Sequence, residues 1–368
     1  MKTKILIIGQ TPPPYGGQAL MIEYMLNHKY NAVELFHVRM NFSKEMNERG
    51  KLSFYKISHL IDIIVRALLL KFKHNIEILY YPLSNSPKVS VLRDMIILGI
   101  TRLFFKKTIF HFHAAGISEE LPKLNFLIQK AGKIILNSPD LSIATSSLNP
   151  ADGKFLKSKK DISIPYGIPD IYPSDLTKGM KQLGDPFEIL FVGLLNSTKG
   201  EGYIVDAISI LEKKGYNIHL KLAGKFETLE YEEAFYSKLK SLDLVKNVQY
   251  LGVITGKAKQ DAFFNADLFC FPSFFVSESF GVVLLEAMIF KLPIIATRWR
   301  GIQSVVEDGK NGFLVDIKEA NQIADKIEFF LNNPEQLEIM GEYSRELYSK
   351  KYNLDSYINN LEQAFINI

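Results

Sequence analysis

Short apolar runs alternate with longer amphipathic stretches along the whole chain, the pattern of buried parallel strands separated by helices. In the first half, residues 4–8, 76–81, 108–113 and 133–137 read as strands, and residues 18–27 and 57–72 as helices. The pattern restarts after Pro186, where residues 188–192, 219–223, 248–251, 268–271 and 293–296 read as strands. Between the two series, residues 164–173 run Ile-Pro-Tyr-Gly-Ile-Pro-Asp-Ile-Tyr-Pro, which suits a linker. A chain of 368 residues exceeds one compact core, so two domains are expected with a boundary near residue 170. No repeat of about 20–50 residues occurs, which excludes solenoids and propellers. The expected architecture is α/β, with two facing doubly wound parallel-sheet domains. Their ligands sit at the carboxyl ends of the strands, in an interdomain cleft.

Composition narrows this little. With 47% apolar and 23% charged residues, 26 Phe and 17 Tyr, the chain supplies ample apolar area to fold, which excludes disordered and collagen-like classes. A single cysteine, Cys270, excludes an intrachain disulfide and a Cys-based zinc cluster and favours a reducing compartment. The apolar run at residues 5–8 is too short for a secretory leader and reads as a first strand. No stretch approaches about 18 consecutive apolar residues, so no bilayer span is expected. The expected address is the cytoplasm, with peripheral attachment to the inner face of the membrane in view.

Charge changes the picture more. The net charge is +4, yet residues 51–110 carry ten Lys or Arg against Asp62, Glu77 and Asp94, a local +7 that leaves −3 elsewhere. Such a stretch suits an anionic membrane surface or a phosphorylated carrier, or else is a solvated helix face. No nucleic-acid partner is expected.

The most informative segment follows the strand at 268–271. After Pro272-Ser273 comes a polar loop, then Glu278-Ser279-Phe280-Gly281-Val282-Val283-Leu284-Leu285-Glu286-Ala287, with a helix beginning near Gly281. Backbone N–H groups at that helix start favour an anion such as a diphosphate. Glu278 and Glu286 reach points about 8–12 Å apart along a helix, which suits the sugar and the ribose of one nucleotide sugar. An isolated pair of this kind is more often a cap and a solvated helix residue. A second phosphate candidate is Gly193-Leu194-Leu195-Asn196-Ser197-Thr198-Lys199-Gly200, where Lys199 faces a leaving diphosphate or lies in a plain turn. The first strand leads into Tyr15-Gly16-Gly17-Gln18, where two glycines permit close approach of a ligand or form an ordinary turn. In His111-Phe112-His113, alternation puts both imidazoles on one face, with His113 nearest the carboxyl end and a buried core histidine as the competing reading. No third ligand accompanies the two histidines, so no metal site is expected. There is also no Asp-x-Asp to hold a divalent metal on a diphosphate. Cys270 reads as core filler.

Taken together, these motifs resemble the retaining GT-B glycosyltransferases of glycosyltransferase family 4. The resemblance rests on Glu278-x7-Glu286, Pro272-Ser273 before it, and Glu307-Asp308-Gly309-Lys310-Asn311-Gly312 after it. It is strongest over residues 187–316. It implies a GT-B fold with an acceptor domain at residues 1–169, a donor domain at 170–352, and a helix at 353–368 crossing back to the first. It implies that Glu278 holds the donor sugar, Glu286 the ribose, Lys199 the diphosphate and His113 the transferred sugar. Gly16 and Gly17 would contact the donor phosphate or the acceptor side. Gly193, Ser279, Phe280, Gly281 and Val282 would line the donor site, with Gly224 and Val253 at the nucleobase. The implied reaction is metal-independent transfer with retention, without cofactor, from a nucleotide diphosphate sugar to a saccharide acceptor. The acceptor expected is lipid-linked, in O-antigen, capsule or exopolysaccharide synthesis. Two departures stand out: Leu194 where the family often has Arg, and four residues rather than about two between Ser273 and Glu278. A sugar-nucleotide epimerase and an inactive nucleotide-sugar or carbohydrate-binding protein are the alternatives.

Overall fold

The computed structural model describes residues 2–13, 15–42, 54–85, 88–173 and 185–368, and the side chains of residues 54–57 are not among what it describes. Pro14 of the first glycine loop, Lys51 and the side chain of Lys56 therefore lie outside the described residues. The chain forms two compact units, Met1–Ile168 with Leu354–Ile368, and Pro169–Asn353.

Unit 1 runs β1 (Thr3–Gly9), α1 (Gly17–Asn27), β2 (Val33–Arg39), α2 (Phe54–His74), β3 (Ile78–Pro82), α3 (Lys88–Thr101), β4 (Lys107–Phe112), α4 (Ile117–Glu120), α5 (Phe126–Ile135), β5 (Leu141–Ala144), α6 (Asp152–Phe155) and β6 (Asp161–Ser163). Its strands pair in parallel in the order β2-β1-β3-β4-β5-β6. Alternation divides each strand between two cores. Leu6, Ile8, Leu79, Tyr81, Phe110 and Phe112 meet α2, α3 and α5 through Ile63, Ala67, Met95, Leu98 and Ile135. Ile5, Ile7, Tyr80 and His111 are buried on the opposite face, where the Tyr80 hydroxyl lies 3.7 Å from the Met25 sulfur of α1.

Unit 2 runs β7 (Phe187–Val192), α7 (Glu201–Glu212), β8 (Ile218–Ala223), α8 (Leu229–Ser241), β9 (Val248–Gly252), α9 (Gly256–Phe264), β10 (Leu268–Phe271), α10 (Val282–Ile289), β11 (Ile294–Thr297), β12 (Gly312–Val315), α11 (Ala320–Asn332) and α12 (Glu335–Leu347). The parallel order is β12-β11-β10-β7-β8-β9, so the winding reverses between β7 and β10. In unit 1 it reverses between β1 and β3. Such reversals open a crevice beyond the carboxyl ends of the strands, because the two flanking connections leave on opposite faces. The last helix, α13 (Leu354–Ile366), belongs to unit 1, where Phe365 packs edge-on to Tyr80 and Tyr357 edge-on to Tyr166.

The expected doubly wound pair is present, with one strand misplaced. Residues 133–137 are the end of α5 and its cap, and the strand lies beyond at Leu141–Ala144. Asn125 caps the start of α5 by accepting from the Ile128 N–H, and Ile128, Ala131 and Ile135 pack inward at helical spacing. A short run of adjacent apolar residues does not distinguish that inner face from a strand.

Candidate functional site

Two neighbouring strands of unit 2, β7 and β10, deliver the main candidates. The loop after β7 is shaped by Asn196, whose Oδ1 accepts from the N–H of Thr198 at 3.0 Å, the N–H of Lys199 at 2.9 Å and the Thr198 hydroxyl at 2.9 Å. Gly200 follows with φ +91°, and a Cβ there would stand 2.2 Å from the Pro272 carbonyl oxygen, so only glycine lets the two loops approach. The loop after β10 is tied down in turn. The Phe274 N–H donates to the Thr198 carbonyl at 2.8 Å, the Trp299 indole donates to the Phe275 carbonyl at 2.9 Å, and the Thr297 hydroxyl donates to the Ser273 carbonyl.

These contacts bring Lys199 and Glu278 together. The ammonium donates to Glu278 Oε2 at 2.6 Å, and the Ser273 hydroxyl donates to the same oxygen at 3.2 Å. The side chains are only 14% and 11% exposed, and the ammonium also lies over the rings of Phe275 at 4.8 Å and Phe271 at 5.4 Å. Carboxylate and π faces thus hold a cation in a largely dry pocket, with ammonium donors left over for an incoming anion. Glu286, inside α10, accepts from Lys259 of α9 at 2.6 Å. Neither α7 nor α10 has a side-chain cap, so the first N–H groups of two helices, each following a strand at the reversal, remain available to an anion. Gly281 is the residue before α10 and Val282 its first, while Ser279 and Phe280 are buried, Phe280 edge-on to Tyr352.

Gly193, Gly224 and Val253 follow three adjacent strands, β7, β8 and β9. Gly193 donates to the Ala223 carbonyl at 2.9 Å and Gly224 to the Gly252 carbonyl at 2.8 Å. A Cβ on Gly224, at φ +147°, would stand 1.7 Å from the Gly193 oxygen. Val253 is exposed, and the Tyr250 hydroxyl donates to the Gly224 carbonyl at 3.0 Å. These three residues form one edge of the sheet beside the Lys199 loop.

Motif reading assigned no role to three participants. Lys259 sits in a different helix from Glu286, and no spacing links them. Ser273 is legible only as part of Pro-Ser. Glu201, the first residue of α7, looks like an ordinary acid at a helix start, yet it is fully buried with both carboxylate oxygens lacking a hydrogen-bond partner. Burial pushes its carboxyl up to about 7, and the Tyr231 hydroxyl faces it from α8 without good hydrogen-bond geometry.

In unit 1, His113 is the residue after β4, where its N–H turns back to the His111 carbonyl at 3.1 Å, and its ring stacks on His111 with centroids 4.0 Å apart. The Tyr80 hydroxyl lies 2.6 Å from His111 Nδ1 and 3.0 Å from His113 Nε2, and the Tyr166 hydroxyl 2.5 Å from His113 Nδ1. His111 Nε2 is buried without a partner. The proton arrangement that leaves no buried N–H bare has His113 donating through Nδ1, Tyr80 donating to His113 Nε2, and His111 donating through Nδ1 to Tyr80. Burial pushes His113 down to about 3, and burial together with His113 holds His111 well below the usual histidine range, so both rings are neutral near pH 7. Gly16 caps α1 with an extended backbone and open space at its Cα, and Gly17 is the first helical residue. The Arg39 guanidinium secures the preceding loop by donating to the carbonyls of Thr11, Pro12 and Pro13 at 3.1, 2.9 and 2.9 Å.

Among the described residues, no three His, Cys, Asp or Glu side chains gather as metal ligands, and no helix is long and apolar enough to cross a membrane. Cys270 is buried, and burial pushes its thiol far above the usual range.

Residues 177–347 match the profile of a family described as glycosyl transferases group 1. Curated relatives include the capsular polysaccharide biosynthesis glycosyltransferase CapM of Staphylococcus aureus, 29% identical over 190 residues, 50% of this chain and 47% of that protein. A D-inositol 3-phosphate glycosyltransferase of Pseudarthrobacter chlorophenolicus is 30% identical over 58% of this chain and 51% of its own length. The chain thus spans about half the length of the curated relatives it matches. Among solved structures, a sucrose-phosphate synthase from Thermosynechococcus elongatus superposes with TM-score 0.74 at 18% identity, covering 100% of this chain and 99% of that one. Anabaena Alr3699/HepE, solved in complex with UDP and glucose, superposes with TM-score 0.72 at 19% identity, covering 100% of both. The fold is GT-B, each unit a Rossmann-like domain.

Proposed function

We propose, from the premise that residues 177–347 form a glycosyl transferases group 1 domain, that this chain moves a sugar from a nucleotide diphosphate sugar to a saccharide hydroxyl. The observation that carries the reading is the Lys199–Glu278 pair, set where the sheet of unit 2 reverses and beside the uncapped starts of α7 and α10. A diphosphate needs cationic and N–H donors at one point, and a sugar needs a carboxylate that accepts from its hydroxyls. Lys199 serves the first need and Glu278 the second. Glu286, held by Lys259, takes the ribose, and the edge formed by Gly193, Gly224 and Val253 takes the base. Gly281 and Val282 contribute helix N–H groups to the donor, and His113 contacts the transferred sugar through its unit's binding loops, which include Gly16 and Gly17.

Transfer breaks the bond from the anomeric carbon to the diphosphate and forms one to the acceptor oxygen on the same face, with the acceptor proton passing to the diphosphate. The configuration is retained and no divalent metal is required. The acceptor is a lipid-linked saccharide in surface polysaccharide synthesis, a reading supported by the capsular relative, and the basic region 51–110 faces an anionic membrane surface. Purified protein supplied with a panel of nucleotide sugars and acceptors, with chelator present, should give a product whose anomeric proton matches that of the donor. An inverted product, or turnover only when metal is restored, overturns the corresponding part of this reading.

A further inference from the structure

Of the ten Lys and Arg at residues 51–110, five have partners within the first unit. Arg93 pairs with buried Asp94, Arg66 with Asp62 and Lys106 with Glu77, while Arg102 donates to the carbonyls of Ile135 and Asn137 and Lys107 to that of Ile368. What the surface offers instead is apolar. On α2, Ile61, Val65, Leu69 and Phe72 are all exposed, Leu69 and Phe72 at 65% each, although Ile63, Ile64 and Ala67 already face the core. At about 100° per residue the four lie within an arc of about 80°, a stripe about 16 Å long on the outer side of the helix. The stripe continues beyond α2, because the Phe72 ring meets Phe104 edge-on at 6.0 Å, and beside Phe104 stand Leu103, 81% exposed, and Ile100 at the end of α3. On α5, which meets α3 where Ile135 faces Gly99, Leu127 and Ile134 point outward at 76% and 70%. Three adjacent helices thus present large apolar side chains to solvent on one layer of the unit, a concentration far from the scattered single residues of ordinary surfaces. Lys71, Lys73, Lys130 and Lys133 border them, Lys71 over the Phe72 ring at 5.6 Å, and among the described residues none of the four is in an ion pair at contact distance.

We propose that the outer layer formed by α2, α3 and α5 docks on an anionic lipid bilayer, with Leu69, Phe72, Leu103 and their neighbours inserted at the headgroup boundary and the four lysines at lipid phosphates. This docking rests on the transferase reading for its lipid-linked acceptor, and it changes the physics of attachment. Insertion holds the chain, with charge as a supplement, and among the described residues no helix is long and apolar enough to span the membrane. Long lysine side chains suit such a border, since their stems lie on apolar surface while the ammonium reaches the phosphates.

The test is co-sedimentation of the full chain with vesicles of phosphatidylcholine alone and of phosphatidylcholine mixed with phosphatidylglycerol, at low and high salt. The wild type should bind the mixed vesicles and keep a measurable fraction of that binding at high salt, because insertion is not screened. The triple variant Leu69→Glu, Phe72→Glu, Leu103→Glu should bind at least about tenfold more weakly at both salt concentrations. Lys73→Glu with Lys133→Glu should lose binding chiefly at low salt. All these side chains are exposed, so melting temperature and nucleotide diphosphate binding should match wild type in every variant. Those two readouts separate loss of docking from loss of the donor site. Absence of wild-type binding to either vesicle at low salt overturns the proposal, as does binding that salt abolishes and the triple variant leaves intact. A dimer that the triple variant dissociates, without vesicle binding, assigns the face to a second copy and overturns it too. Vesicle binding without nucleotide binding leaves docking standing and removes the transferase reading alone.

Discussion

The candidate residues of the two units differ in kind. In unit 2, Lys199–Glu278 is a charge pair between two loops and Lys259–Glu286 one between two helices, both partly open to solvent. In unit 1, His111, His113, Tyr80 and Tyr166 form a chain of neutral groups inside the domain. A charge pair in a part-dry pocket can exchange partners when an anion arrives, since each half has a preformed counter-charge to leave or keep. A neutral chain has nothing to exchange except proton positions, so it holds a shape. The first unit therefore contributes geometry where the second contributes charge.

The largest expected effect breaks the charged side. Glu278→Ala or Lys199→Ala should lower kcat/KM by about 10²–10³-fold with the fold intact, and near-normal turnover in either variant removes that residue from sugar or diphosphate binding. Next comes Glu201, the exception in unit 2, a buried acid without a partner. Its carboxyl is raised from 4.5 to about 7, so the folded state binds the extra proton, and the Glu201 contribution to stability should be lost as pH rises from about 4.5 to about 7. That loss amounts to about 3 kcal/mol as an upper figure and is read as the difference between wild type and Glu201→Gln, because the buried histidines titrate over the same window with the opposite sign. Parallel denaturant titrations at about pH 5 and about pH 8 read the difference, and equal slopes in both proteins count against a buried charge. In unit 1, Tyr80→Phe leaves two imidazole nitrogens short of a partner and should cost about 1–3 kcal/mol of stability, with little effect on nucleotide binding. A neutral chain also predicts that acid unfolding starts early, because His113, lowered to about 3, takes up its proton only on unfolding as pH falls through the usual histidine range near 6.5. The smallest effect is Lys259→Met, which should weaken nucleotide affinity roughly fivefold by freeing Glu286 while kcat stays close to wild type. An unchanged affinity would show that Glu286 needs no positioning.

Strands in the middle of each sheet were legible because both of their faces are buried, which writes an unbroken apolar run into the sequence. The strands that pattern alone missed are chiefly edges. β2 and β6 bound the first sheet and β12 the second, and β2 carries Glu34, His37 and Arg39 because much of it meets solvent or loops. Glu278, Lys199 and the glycines were legible because close backbone approach and helix starts demand particular residues at particular spacings. Lys259 was not, since its contact crosses from α9 to α10 and leaves no local pattern. Glu201 follows Gly200 as an ordinary acid would, and its burial depends on packing against α8 that no local window contains. The outer face of α2 left a signal of its own: residues 61–72 are apolar on more than one side, more than a single core requires.

The membership of α13 in unit 1 also bears on how the chain comes together in time. The Glu362 carboxylate accepts from the Ala32 N–H at 2.6 Å, and Tyr357 and Phe365 close over the buried tyrosines. During synthesis, residues 354–366 leave the ribosome only after the whole of unit 2. The domain begun first is therefore finished last, and until its closing helix arrives its inner tyrosines and histidines lie open to water. Unit 2, continuous in sequence, has no such wait, so the usual order of vectorial assembly is reversed in this chain.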